Sequence, residues 1–126
     1  MSGAKFYLCT HCGNLAELIC DAGVPMICCG EAMQLLIPNS EPASHEKHIP
    51  VVRQENGSLW VTVGAVQHPM IPEHYIRWIC VESKTGMMCK TLIPGQTPEA
   101  TFCLGSERPL AVYAYCNIHG LWMTNV

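Results

Sequence analysis

The sequence predicts a mainly β protein in two parts: a small metal-stapled N-terminal unit followed by an antiparallel β-sandwich. Three observations carry this. Short strand-like runs recur at fairly regular spacing, turn residues separate them, and no segment holds a long helical period. Ahead of them lies a short stretch with two cysteine pairs, too small to bury a core unaided.

The first unit is read over residues 1–36. Cys9-Thr-His-Cys12-Gly13 places two cysteines on a tight turn, and Cys28-Cys29-Gly30 supplies two more. Asn14–Ile19 and Val24–Ile27 are short strand candidates about the turn Asp21-Ala22-Gly23. The second cysteine pair is adjacent. Neighbouring side chains on an extended chain point to opposite sides, so bringing both sulfurs to one ion demands a tight backbone there. Tetrahedral S₄ suits zinc and iron alike, and the spacing does not choose between them. His11, inside the knuckle, reads as a solvent-facing bystander.

Residues 37–42 (Ile-Pro-Asn-Ser-Glu-Pro) read as a linker, and residues 43–126 as the sandwich. Its strands are expected at His48–Gln54, Ser58–Ala65, Tyr75–Glu82, Met87–Ile93, Ala100–Leu104 and Leu110–Tyr115. Turns at Glu55-Asn56-Gly57, Ser83-Lys84-Thr85-Gly86 and Pro94-Gly95-Gln96-Thr97-Pro98 separate several of them.

Composition narrows the function classes. The 126 residues carry a formal net charge of −3 with 13% charged side chains, and no basic stripe marks a nucleic-acid surface. The longest apolar run, Leu110–Cys116, is too short to span a bilayer. No export signal is visible at the start, so a cytoplasmic location is expected. Nine cysteines, an odd number, argue against a disulfide framework and for metal ligation. Cys20 and Cys103 lack ligand spacing and are expected as small buried apolar side chains. A four-residue hairpin turn would set Cys80 opposite Cys89; two free thiols, open to oxidation under stress, are expected there.

The residues richest in chemistry are His48, His68, His74, Cys116 and His119. Structural zinc closes at four ligands. A fifth points to a metal of higher coordination with one position left for chemistry, and four nitrogens with one sulfur suit iron. His45 is assigned no role.

In this order the motifs resemble desulfoferrodoxin, the two-iron superoxide reductase family. The match runs from about Phe6 to Trp122 through Cys9-x2-Cys12, Cys28-Cys29, Glu46-Lys47-His48, His68-Pro69-Met70, His74 and Cys116-Asn-Ile-His119-Gly120. The resemblance implies a desulforedoxin-like N-terminal domain holding Fe(Cys)₄. It implies an immunoglobulin-like sandwich or barrel with a second iron on His48, His68, His74 and His119, and Cys116 axial. The activity implied is one-electron reduction of superoxide to hydrogen peroxide, with rubredoxin as donor and a homodimeric assembly. Lys47 would attract the anion, and Glu46 would bind the oxidised iron after turnover. Two other readings compete: a rubredoxin-type electron carrier, which leaves the five-residue set unexplained, and a zinc-stapled binding domain, which explains only the first site.

Overall fold

The computed structural model describes residues 3–126. It falls into two compact units, Gly3–Ile37 and Pro38–Val126.

In the first unit, β1 (Phe6–Leu8) lies between β2 (Leu15–Glu17) and β5 (Gln34–Leu35), and β3 (Ile27–Cys28) pairs with β4 (Glu31–Ala32), every pair antiparallel. The strands are two or three residues long, too short for a sheet to stand alone. β2 covers the middle of the expected Asn14–Ile19 run. β3 begins only at Ile27, because Gly23 and Pro25 keep the preceding residues out of a ladder.

The second unit opens with one helical turn, α1 (His45–His48), followed by β6 (Pro50–Glu55), β7 (Ser58–Val63), β8 (Ile76–Ser83), β9 (Met87–Thr91), β10 (Glu99–Cys103), β11 (Pro109–Cys116) and β12 (Gly120–Asn125). They form two antiparallel sheets in the orders β10-β7-β6 and β12-β11-β8-β9. Alternation decides what lies between the sheets. Leu59, Val61 and Val63 of β7 and Ala100 and Phe102 of β10 face Ile79 and Val81 of β8 and Val112, Ala114 and Cys116 of β11. The β8–β11 register shifts between Tyr115 and Cys116, whose partners are Trp78 and Ile76. That irregularity keeps both Ile76 and Cys116 inward, and it aims the Cys116 sulfur at one end of the sandwich.

Four expectations are corrected. A seventh strand, β12, closes the sheet; its register with β11 runs from Cys116–Gly120 to Ala111–Asn125. It was concealed because Cys116-x2-His119 reads as a strand end when it is a hairpin turn, completed by Gly120 at φ 78°. His48 ends α1 rather than starting a strand. Cys20 and Cys103 are exposed; Cys103 is one residue past buried Phe102, so the pleat turns it outward. Finally, Cys80 and Cys89 are joined in a disulfide. The expected hairpin sets them directly opposite, with Cα atoms 4.1 Å apart. That is the close spacing of a non-hydrogen-bonded pair, near enough for the sulfurs to meet.

Candidate metal centres

The first centre rests on two turns. The Cys9 N–H donates to Asn14 O at 2.8 Å and the Gly13 N–H to Cys9 O at 2.9 Å, folding the knuckle. At the other pair, Cys29 at φ 54° and Gly30 at φ 78° are both left-handed. That bend solves the problem of the adjacent pair, because it turns the second sulfur to the side of the first. The four sulfurs of Cys9, Cys12, Cys28 and Cys29 all lie within 4.8 Å of one another, with Cys12 and Cys28 at 3.6 Å. A tetrahedron with metal–sulfur bonds of about 2.3 Å has edges of about 3.8 Å, so the cage matches one ion.

Its electrostatics match as well. Backbone donation, first from Cys12, draws the Cys9 thiol down to about 6. Hydrogen bonds to the Cys12 and Cys9 sulfurs push Cys29 up to about 12. Four thiolates do not coexist at this spacing without a cation, and metal binding releases the retained protons. The Asn14 N–H and its carboxamide donate to Cys12 and Cys28 sulfur at 3.5 and 3.6 Å. His11 faces solvent as expected and stands apart from the four sulfurs, its Nε2 3.1 Å from Glu31 Oε2 in an exposed pair.

The second centre gathers residues from three places in the chain. His48 comes from α1. His68 and His74 come from the β7–β8 connection, and Cys116 and His119 from the β11–β12 turn. The imidazoles form a closed ring in the order His48, His68, His74, His119. Adjacent centroids are 4.7, 4.6, 5.0 and 4.9 Å apart, each pair near edge-to-face, and the His48–His74 diagonal is 6.4 Å. His48 Nε2 lies 3.1 Å from both His68 Nε2 and His119 Nδ1. Nitrogens about 2.1 Å from a common centre and at right angles to each other would be about 3.0 Å apart. The ligand atoms of His48, His68, His74 and Cys116 lie within 4.8 Å of one another, and His119 Nδ1 is 3.9 Å from the Cys116 sulfur.

Hydrogen bonds prepare the donors. His48 Nδ1 donates to Ser44 O at 2.6 Å and His68 Nδ1 to Pro69 O at 2.7 Å, which frees each Nε2 lone pair for the centre. Burial lowers the pKa of His48, His68 (to about 4) and His74. The rings are thus neutral, the form that binds a metal. His74 Nε2 is buried without a partner, an arrangement that costs free energy unless something occupies the centre. Burial raises the Cys116 thiol against donation from the His119 and Ile118 N–H groups, the former 3.4 Å from the sulfur. This donor set fits iron: five borderline-soft N and S ligands, and no carboxylate cage of the kind magnesium or calcium needs.

Glu46 and Lys47 sit exposed on α1, directly before the buried His48. The Lys47 charge opposes protonation of both His48 and His74. The sequence reading missed Trp122. It is fully buried, stacks on His48, lies 5.4 Å from the His45 ring and donates Nε1–H to His119 O at 3.0 Å. Its place three residues after His119 was the available signal.

Fold and centres together define a class: two-unit β proteins with a four-cysteine cage and a separate histidine–cysteine centre, both able to hold a metal. The chain belongs to the desulfoferrodoxin family, whose sequence profile matches residues 40–125. It is 40% identical to desulfoferrodoxin of Nitratidesulfovibrio vulgaris, over 94% of this chain and 93% of that one. It is 41% identical to a desulfoferrodoxin homolog of Archaeoglobus fulgidus, over 95% of each. Among solved structures it resembles the superoxide reductase of Treponema pallidum, with a TM-score of 0.83 and 35% identity, over 98% of this chain and all of that one.

Proposed function

We propose that the chain is a superoxide reductase that converts superoxide to hydrogen peroxide by one-electron reduction. The observation that carries this is the ring of four imidazoles with the Cys116 sulfur beside it. His48, His68, His74, His119 and Cys116 would hold the catalytic iron, and Cys9, Cys12, Cys28 and Cys29 an accessory iron. Family membership and the names of the relatives support the same reading.

Iron, when bound, supplies the single electron that superoxide needs and an open coordination position. The chain's own residues do the rest. The Cys116 thiolate would raise the electron density of a bound iron, and the His119 N–H, which donates to that sulfur, would moderate the effect. Lys47 gives a local positive charge in a chain of net charge −3, which favours approach of an anion. Glu46, exposed on the same turn, would offer a carboxylate to iron held at the centre. Ile118, in the turn that carries Cys116 and His119, is exposed, so solvent would be at hand to supply the two protons of peroxide.

Under this reading residues 1–36 act as the accessory redox domain and residues 43–126 as the reductase domain. The chain works as a cytoplasmic homodimer fed by rubredoxin. No helix among the described residues is long and apolar enough to cross a membrane.

Stopped-flow mixing of reduced, iron-loaded protein with pulse-generated superoxide tests the activity. A fast transient with one peroxide per iron oxidised and no oxygen evolved supports reduction. Oxygen evolution would mean dismutation, and no transient would leave the centre without this activity.

A further inference from the structure

The four imidazoles of the ring are held in different ways, two through the ring itself and two through the backbone. Ser44 O holds His48, Pro69 O holds His68, and the Trp122 Nε1–H holds the His119 carbonyl. His74 is bonded to Ile71 through its backbone, its N–H donating to Ile71 O at 3.0 Å and its C=O accepting the Ile71 N–H at 3.1 Å, while its Nε2 is buried with no partner. Yet its ring stands 4.6 Å from His68 and 5.0 Å from His119, closing the square.

Further support comes from its sequence neighbours. The Asn117 carboxamide grips both of them: Oδ1 accepts the Tyr75 N–H at 2.9 Å, and Nδ2 donates to Glu73 O at 3.1 Å. The Asn117 backbone N–H donates to Tyr75 O at 3.2 Å. Three hydrogen bonds from one residue thus bracket His74 on both sides. A carboxamide has one acceptor and two donors in a fixed plane, so it can satisfy an N–H and a C=O together. Asn117 directly follows Cys116. The same contact therefore ties the His74 loop to the turn that carries the sulfur and His119.

We propose that Asn117 is a positioning residue that sets the His74 imidazole at the fourth corner of the centre by clamping Glu73 and Tyr75. This rests on reading the five side chains as ligands of one metal. Asn117 itself is exposed and touches none of the donor atoms; it acts through the backbone of the His74 loop.

The test uses full-length, iron-loaded protein and follows iron release into excess chelator, read from the visible band that Cys116→Ser removes after oxidation. If Cys116→Ser leaves the spectrum unchanged, the ligand reading fails and the clamp fails with it. If the band depends on Cys116, Asn117→Ala is expected to speed release by about 10–100-fold and to shift the band. Asn117→Asp keeps the acceptor for the Tyr75 N–H but loses the donor to Glu73; it is expected to fall between, and it serves if the alanine variant does not fold. Asn39→Gly is the control. Asn39 makes a similar pair of side-chain hydrogen bonds to Met123, and its φ of 59° suits glycine. It should release iron at the wild-type rate.

The deciding measurement is Asn117→Ala in a His74→Ala background. If Asn117 acts through His74, it adds no further acceleration there. Additive acceleration, or a wild-type release rate and spectrum for Asn117→Ala alone, overturns the proposal.

Discussion

The Trp122 indole lies against the His48 imidazole, with ring centroids 4.8 Å apart and planes 29° from parallel. The stack joins the sandwich core to the metal centre, because the same indole also donates to His119 O. Trp122→Phe keeps an aromatic face and loses the donor. It is expected to lower stability by about 1 kcal/mol, the net worth of a typical hydrogen bond, and to hasten metal loss. Trp122→Ala opens a cavity and should cost about 3–5 kcal/mol. Urea midpoints with and without metal measure both. Equal stability of wild type and Trp122→Ala would remove the indole from this role.

Gly64 governs how α1 meets the connection that carries His68. A Cβ at this position would lie 2.6 Å from Glu46 O and 3.0 Å from Ile49 O, both rigid backbone atoms. The Val66 N–H bonds the same Glu46 carbonyl at 2.9 Å. Gly64→Ala is expected to destabilise by about 1–3 kcal/mol, in the range of overpacking, and to move Lys47 and His48 away from the other donors. Thermal melts and the iron content of purified variant check this. Wild-type values for both would mean that the turn adjusts without consequence.

The Cys80–Cys89 link makes the thiol count a direct test. Unfolded, unreduced protein should give seven titratable thiols, and nine after reduction. Cys89→Ser is expected to lower stability by roughly 2–4 kcal/mol under oxidising conditions and to change it little under reducing ones. Nine thiols without reduction would mean that the pair stays open in solution.

Lys47→Ala should slow the reaction with superoxide about two- to fivefold at low salt. That is the Coulomb attraction of two unit charges ~4–8 Å apart in water. The salt dependence should flatten together with the rate. An unchanged rate constant at low salt would take Lys47 out of anion capture. Glu46→Ala is expected to leave this first reaction intact and to alter the ferric spectrum.

Much of the sandwich was legible because strands leave a local trace. Ser58–Val63 alternates half-buried Ser58, buried Leu59, exposed Trp60, buried Val61, exposed Thr62 and buried Val63, and the sequence pattern carries the same period. The Ser83–Gly86 turn fixed the register that opposes Cys80 and Cys89. The bond between them was not legible, because sequence spacing puts two residues opposite each other without saying how closely the strands approach. The exposure of Cys20 and Cys103 was misread for a related reason: apolar neighbours in sequence are not neighbours in space.

The sequence by itself determined the inventory: two cysteine pairs, four histidines with Cys116, and β-runs able to carry them. Ligand type and spacing are local chemistry, written in the order of residues. Only the tertiary structure decided that His48, His68, His74 and His119 close a ring, with His119 presenting Nδ1 while His48 and His68 present Nε2 to their neighbours. It also brought Trp122, Gly64 and Asn117 to that ring. The physical reason is that orientation is set by contacts between distant segments. Nearby carbonyls such as Pro69 O fix a ring's tautomer, but which rings meet is decided by segments far apart in the chain.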